Sequence, residues 1–364
     1  MTCRILYIIG GLCAGGMERQ LYFLLKGMDR KEYSPELVVW RFHEEDTYVR
    51  QIRDLGVPLH YFPSANSGVA KLKTFRRMVR QMKPQVIHSY SFYTNFAAWW
   101  AAVGRNSIPI GAVQSSFAYE KKTGGPLLGQ LSARWPRHQI SNNFLAAETA
   151  RDSRSPFLPG RLSVIRNGLD LETFQMVPLS TAGRVQILGV GSLLPVKRWD
   201  RILRAASNLQ KNGLDFLVEI AGGGPLHESL EQQARSLGLT DRVKFIGHTD
   251  DIPELLAGSN FLVHTSEIEG CPNVVMEAMA CGRAVIAMDA GDISSLVEEG
   301  RTGFVVRRGD EATLIERMAT LVTDRNLCRH MGEAGRTKAE KEFGLDRLVS
   351  ETLATYRAAG WKDV

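Results

Sequence analysis

Apolar runs of strand length alternate with helical stretches along the whole chain, and the series starts over once. Runs at 3–9, 33–40, 57–62, 84–90 and 108–114 lie near turn residues, and residues 18–28 read as the helix after the first of them. A turn-rich stretch at 168–184 follows, read as a linker. Strand runs then resume at 185–192, 215–225, 243–248, 261–266, 283–289 and 302–306, with helices at 200–211 and 227–237. A strand, a covering helix and a second strand repeated in this way build a parallel sheet buried on both faces. The fold class expected is therefore α/β, with two Rossmann-like parallel-sheet domains facing across a cleft. The expected domains are residues 1–175 and 176–343, with 344–364 forming a last helix that no strand follows. A length of 364 residues suits two domains of roughly 150 each.

Several classes are excluded. No apolar run approaches the roughly 18 residues needed to cross a bilayer. The apolar part of MTCRILYIIGGL is too short for a signal peptide and lacks a small-residue cleavage site. The five cysteines form no CxxC pair and no cluster with histidine, so neither a zinc site nor a redox dithiol is expected. A cytoplasmic protein with reduced thiols fits this usage.

Charge is distributed unevenly. Up to position 175 there are 23 Lys and Arg against 13 Asp and Glu, a net +10, while the remainder carries −4. Within the basic part, residues 71–83 place Leu72, Phe75, Val79 and Met82 at helical spacing among six cations. Such a helix either lies on an anionic membrane or packs its apolar stripe on the domain core. Nucleic acid is not expected as a partner, because no recognition motif accompanies the charge. Residues 117–139, polar and irregular, read as a binding loop carrying Lys121, Lys122, Arg134 and Arg137.

Three segments could carry chemistry. Gly10-Gly11-Leu12-Cys13-Ala14-Gly15-Gly16-Met17-Glu18 follows a strand and opens a helix, where glycines let amides approach a phosphate. The spacing is not G-x-G-x-x-G, so a nicotinamide or flavin site is not supported. Gly191-Ser192 ends a strand ahead of Lys197 and Arg198, a point charge and a fork suited to a diphosphate. Most specific is Glu269-Gly270-Cys271-Pro272-Asn273-Val274-Val275-Met276-Glu277. Here a loop carboxylate precedes a helix expected to be N-capped by Asn273, with a second carboxylate one turn in. Both can point into one pocket and accept hydrogen bonds from sugar hydroxyls.

EGCPNVVMEAMACGRAVIA resembles, over its full length, the E-x7-E donor motif of glycosyltransferase family 4. These are the retaining nucleotide-sugar transferases of the GT-B fold. GGMER, VIRNGLD, GVGSLLPVKRWD and EIAGGGP are similar to further landmarks of that family, in the right order, so the resemblance covers essentially the whole chain. It implies that Glu277 binds the nucleotide ribose and that Glu269 sits by the donor sugar. Gly270, Cys271, Asn273 and Val274 would help to hold sugar and diphosphate. Lys197 would bind the diphosphate opposite Gly15 and Gly16, and the last helix would cross back to the first domain. No metal and no cofactor is implied, and the sequence has no D-x-D motif.

Two positions depart from the family pattern. Ser192 stands where an Arg is frequent, leaving Arg198 as the cation that could compensate. Gln114 stands where a His is frequent, and a glutamine cannot act as a general acid. The acceptor-side candidates are thus Gln114, His88 in the preceding strand, and Glu18. The reading is a retaining glycosyltransferase that uses a nucleotide-diphosphate sugar, with UDP favoured. Its acceptor would be a glycan or a polyprenyl-diphosphate-linked glycan of cell-surface polysaccharide, met peripherally on the inner face of the plasma membrane. A non-catalytic partner subunit and, more weakly, a nucleotide-sugar epimerase stand as alternatives.

Overall fold

The structure is a computed structural model describing residues 2–63, 67–179 and 183–362. It divides into two compact units, Met1–Gly168 with Leu345–Val364, and Leu169–Gly344. The first division thus falls after residue 168 rather than after 175. Of the stretch read as a linker, residues 169–179 belong to the second unit and 180–182 lie outside the described residues.

The first unit runs β1 (Cys3–Ile9), α1 (Gly16–Gly27), β2 (Tyr33–Val39), α2 (Thr47–Asp54), β3 (Leu59–Tyr61), α3 (Gly68–Met82) and β4 (Val86–Ser89). It continues with α4 (Asn95–Ala102), β5 (Ile108–Val113), α5 (Phe117–Thr123), α6 (Leu128–Arg134), β6 (His138–Ser141), α7 (Phe144–Arg151) and β7 (Arg161–Val164). Its seven strands pair in the order β3-β2-β1-β4-β5-β6-β7, every pair parallel. The second unit holds β8 (Val185–Val190), α8 (Trp199–Lys211), β9 (Phe216–Ala221), α9 (His227–Ser236), β10 (Val243–Gly247), α10 (Ile252–Gly258) and β11 (Phe261–His264). Then come α11 (Asn273–Ala280), β12 (Ala284–Met288), α12 (Ile293–Leu296), β13 (Gly303–Val306), α13 (Glu311–Thr323) and α14 (Arg325–Glu342). Its order is β10-β9-β8-β11-β12-β13, again all parallel. The last helix, α15 (Leu345–Ala358), belongs to the first unit and packs on α1.

Each order reverses once, between β1 and β4 and between β8 and β11. In open parallel sheets the crevice at the carboxyl ends of such neighbours is where ligands bind. The central strands earn their place by composition: Leu6, Ile8, Val38 and Ile87 in the first sheet, and Ile187, Val218, Phe261 and Ile286 in the second, are fully buried.

The basic helix resolves the choice left open by its sequence. Ser67 caps α3 by accepting from the Ala70 amide, and Phe75 and Val79 are buried against the core beneath. Leu72 and Met82 pack on the same cluster. The apolar stripe is therefore used by the domain itself, and only the cationic side of α3 faces outward. The stretch read as a loop at 117–139 is instead α5 and α6, followed by the start of β6. Trp99 stacks on Trp135 at 4.9 Å, which ties α4 to the end of α6.

α15 is fastened from within. The His88 Nδ1 lies 2.7 Å from Tyr356 Oη, which donates to Tyr7 Oη at 3.2 Å, and Tyr7 donates to the Met28 sulfur at 3.6 Å. A thioether can only accept, so the chain of donors runs from His88 Nδ1–H outward. Burial holds the His88 imidazole down at about 3, so it stays neutral. A histidine whose folded value lies below its ordinary range favours the folded state above that range and opposes it as pH falls. Urea midpoints should therefore drop between about pH 6.5 and 5, before most carboxylates titrate. His88→Phe should flatten that limb; an unchanged slope would remove His88 as its source.

Candidate active site

In the second unit the two sides of the strand reversal are stitched together. Gly191 follows β8, and the chain then makes one tight turn at Pro195–Lys197 before α8. Val196 O accepts from the Glu267 amide at 2.9 Å, and Thr265 Oγ1 donates to Lys197 O at 2.9 Å and to Arg198 O at 3.1 Å. The turn after β8 is thus clipped to the segment after β11. As a result Lys197 Nζ donates to Glu269 Oε1 at 2.5 Å, and His264 Nε2 donates to the same oxygen at 3.0 Å. Burial alone would raise the Glu269 carboxyl, but His264 and Lys197 outweigh it and hold it down at about 2. Glu269 is accordingly ionised at neutral pH, with a lysine and a histidine converging on one of its oxygens.

The loop that carries Glu269 rests on Gly291, which has φ +58. A Cβ there would lie 2.4 Å from Glu269 O and 2.5 Å from Gly270 O, and the next amide, Asp292, donates to Gly270 O at 2.9 Å. Gly291→Ala combines a left-handed backbone with a clash against main chain. It should cost about 1–3 kcal/mol of stability and lower turnover, readable as a fall in thermal midpoint alongside kcat. A variant of wild-type midpoint and activity would show that this loop yields freely.

Glu277 lies in the second turn of α11 and is 2% exposed. Asn273 is not the N-cap expected of it; Pro272 takes that place in an extended conformation, and Asn273 is the first helical residue. Cys271 is buried, whereas Gly270, Asn273 and Val274 are half-buried. Ser192 is exposed, and its carbonyl accepts from Trp199 Nε1 at 3.0 Å. Arg198 is committed elsewhere: it donates twice to Asp200 at 3.0 Å and once to Glu267, which also takes Arg201 at 2.7 Å. Its guanidinium braces the turn that aims Lys197.

In the first unit the glycine loop joins the two strands at the other reversal. Gly10 N donates to Ser91 Oγ at 3.0 Å, and a Cβ on Gly10 would lie 1.7 Å from Tyr93 Oη. Gly15 caps α1 without a side-chain bond, and Glu18 folds back over it, its Oε2 2.2 Å from where a Gly15 Cβ would be. Burial raises the Glu18 carboxyl. Gln114 and His88 line one narrow hollow together with Gln20, Asn142 and Asn167; Glu18 is not among its lining residues. His88 is 2% exposed and spends Nδ1 on Tyr356, which makes it part of the domain's interior. Among the described residues no three His, Cys, Asp or Glu side chains are grouped to hold a metal ion.

Two family models match the chain, one in each unit: glycosyl transferase 4-like domain over residues 15–151, and glycosyl transferases group 1 over residues 173–338. The chain belongs to glycosyltransferase family 4. It is 28% identical over 325 residues to the EpsF glycosyltransferase of Bacillus subtilis, covering 84% of this chain and 83% of that one. Its fold superposes on the Anabaena protein HepE in complex with UDP with a TM-score of 0.82 at 21% identity, over 98% and 100% of the two chains. For the same protein with UDP-glucose the TM-score is 0.79 at 20% identity, over 98% and 99%. The fold is GT-B, and the protein is a glycosyltransferase.

The sequence reading did not single out His264, which the structure brings against Glu269. It is the last residue of β11, and in sequence it reads as one more member of an apolar strand. Its signal was its position, since a polar residue at the carboxyl end of a central strand beside the reversal is where this fold places ligand groups.

Proposed function

We propose that this glycosyltransferase moves a sugar, with retention, from a UDP-sugar to a glycan or polyprenyl-diphosphate-linked acceptor in cell-surface polysaccharide synthesis. The observation that carries the reading is the meeting of Lys197 and Glu269 at the β8/β11 reversal, with Glu277 eight residues further along in α11. Glu277 accepts the ribose hydroxyls, Glu269 contacts the sugar, and Lys197 takes up the diphosphate. In the transfer, the acceptor oxygen bonds to the anomeric carbon as the bond from that carbon to the β-phosphate oxygen breaks. The acceptor proton passes to the departing phosphate. Charge grows on the diphosphate during this step, and an ammonium group already in place stabilises it without reorganisation. UDP is favoured because HepE has been crystallised with UDP and with UDP-glucose. The net +10 of the chain up to residue 175 supports an anionic, membrane-linked acceptor met on the inner face of the plasma membrane.

Purified protein incubated with labelled UDP-, GDP- and ADP-sugars tests the reading. Release of UDP with transfer or hydrolysis of the sugar is the expected result. Conversion of the nucleotide sugar to an isomer without nucleotide release, or turnover with a purine donor alone, would overturn it.

A further inference from the structure

One side of the first unit has a composition that sugar transfer does not use. From residue 55 to residue 119 the sequence contains no Asp or Glu and seven Lys and Arg. Lys73, Arg77, Arg80 and Lys83 are exposed along and just beyond α3. Neither they nor Arg105 form an ion pair among the described residues. A merely solvated face intersperses both signs, and this one does not.

Two further features lie on the same side. Val69, Trp100 and Val103 are 64%, 40% and 40% exposed. Arg76 donates to Trp100 O and to Val103 O and sits 5.1 Å over the Trp100 ring, fixing the end of α4 against α3. At the foot of α3 a hollow of about 460 Å³ is lined by Arg80, Lys83, Gln85, Arg105, Asn106 and Ser107, with no carboxylate in its wall among the described residues. Three cations and the neutral polar side chains of Gln85, Asn106 and Ser107 around such a volume match the phosphate and glycerol of a lipid headgroup.

We propose that this face docks on an anionic phospholipid bilayer, with the Arg80–Lys83–Arg105 hollow seating one phosphate-bearing headgroup and Trp100 entering the interface. The proposal rests on the membrane-linked acceptor of the preceding reading and supplies its point of contact. Because the apolar stripe of α3 is already buried in the core, attachment is by charge and one aromatic ring. It is therefore peripheral and reversed by salt.

Sedimentation with vesicles tests it without donor or acceptor, so its outcome is read separately from that of the nucleotide-sugar panel. The protein should bind vesicles containing phosphatidylglycerol at low salt, ignore phosphatidylcholine alone, and come off at high salt. Arg80→Gln, Lys83→Gln and Arg105→Gln together should lower partitioning on the order of 100-fold, at about 1 kcal/mol per cation. The same charge change in the second unit, Lys211→Gln, Arg235→Gln and Arg307→Gln, should leave it nearly unchanged. Equal loss in both triples reduces the effect to net charge and overturns the site. So does binding to phosphatidylcholine alone, or saturable binding of glycerol phosphate with no vesicle binding, which would make the hollow a seat for a soluble phosphate ester.

Discussion

Lys197→Ala should lower turnover by about 10²–10³-fold, the loss expected when one preorganised donor to a developing anion is removed. The fold should survive, because Lys197 sits on a turn held by main-chain bonds of Val196 and by Thr265, none of which uses its ammonium group. Two effects need separating, since the same side chain also neutralises Glu269. Affinity measured for UDP and for uridine does so. If Lys197 serves the diphosphate, the variant loses UDP affinity and keeps that for uridine. Unchanged affinity for both, with turnover still reduced, would mean that it acts only by holding Glu269, and near-normal turnover would end its role altogether. His264 still donates to Glu269 in this variant, so the carboxylate keeps one of its two partners.

Glu277→Ala should weaken UDP binding by about 1.5–3 kcal/mol, the range for hydrogen bonds to a charged group. Glu277 is buried in α11. Glu269→Ala should instead spare UDP affinity and lower kcat, because it is assigned to the sugar, which free UDP lacks. Calorimetry on both variants with UDP, beside kcat with the sugar nucleotide, gives four numbers that must cross over. If Glu269→Ala proves the more damaging to UDP binding, the two assignments are reversed. Glu269→Ala also frees Lys197 from its partner, so some gain in UDP affinity would agree with the diphosphate role.

The parts of the site legible in the sequence were those contiguous in it. Glu269 and Glu277 lie on one loop and the helix it enters, so spacing alone placed them. The partners of Glu269 came less easily: Lys197 is 72 residues away and meets it only because β8 and β11 are neighbours in the sheet. His264 looked like strand. Arg198, read as a second phosphate cation, is occupied by Asp200 and Glu267, contacts that depend on the sharp turn before α8 and not on residue type. In the fold, β6 and β7 went unread because His138, Gln139 and Ser141 in the one and Arg161 and Ser163 in the other break the apolar run by which the remaining strands showed. α5 and α6 were read as loop because glycine and proline separate two short helices. The basic helix was read correctly as amphipathic, but periodicity cannot say whether an apolar stripe meets lipid or core. That was decided by Phe75 and Val79 reaching the first sheet.

The path of the chain through the first unit has a bearing on its manufacture. Residues 169–344 form a unit from one unbroken stretch, whereas the other unit needs α15, whose Tyr356 bonds across 268 residues to His88 and 349 to Tyr7. Leu348, Val349 and Leu353 are buried there too. During translation the segment made later can therefore reach its final form first. The sheet begun at residue 3 waits with an uncovered apolar flank until the ribosome has passed residue 358. Completion of the first unit thus has to follow synthesis of the whole second unit, against the usual amino-to-carboxyl order of domain completion, and its apolar flank stays uncovered from Gly168 until α15 is made.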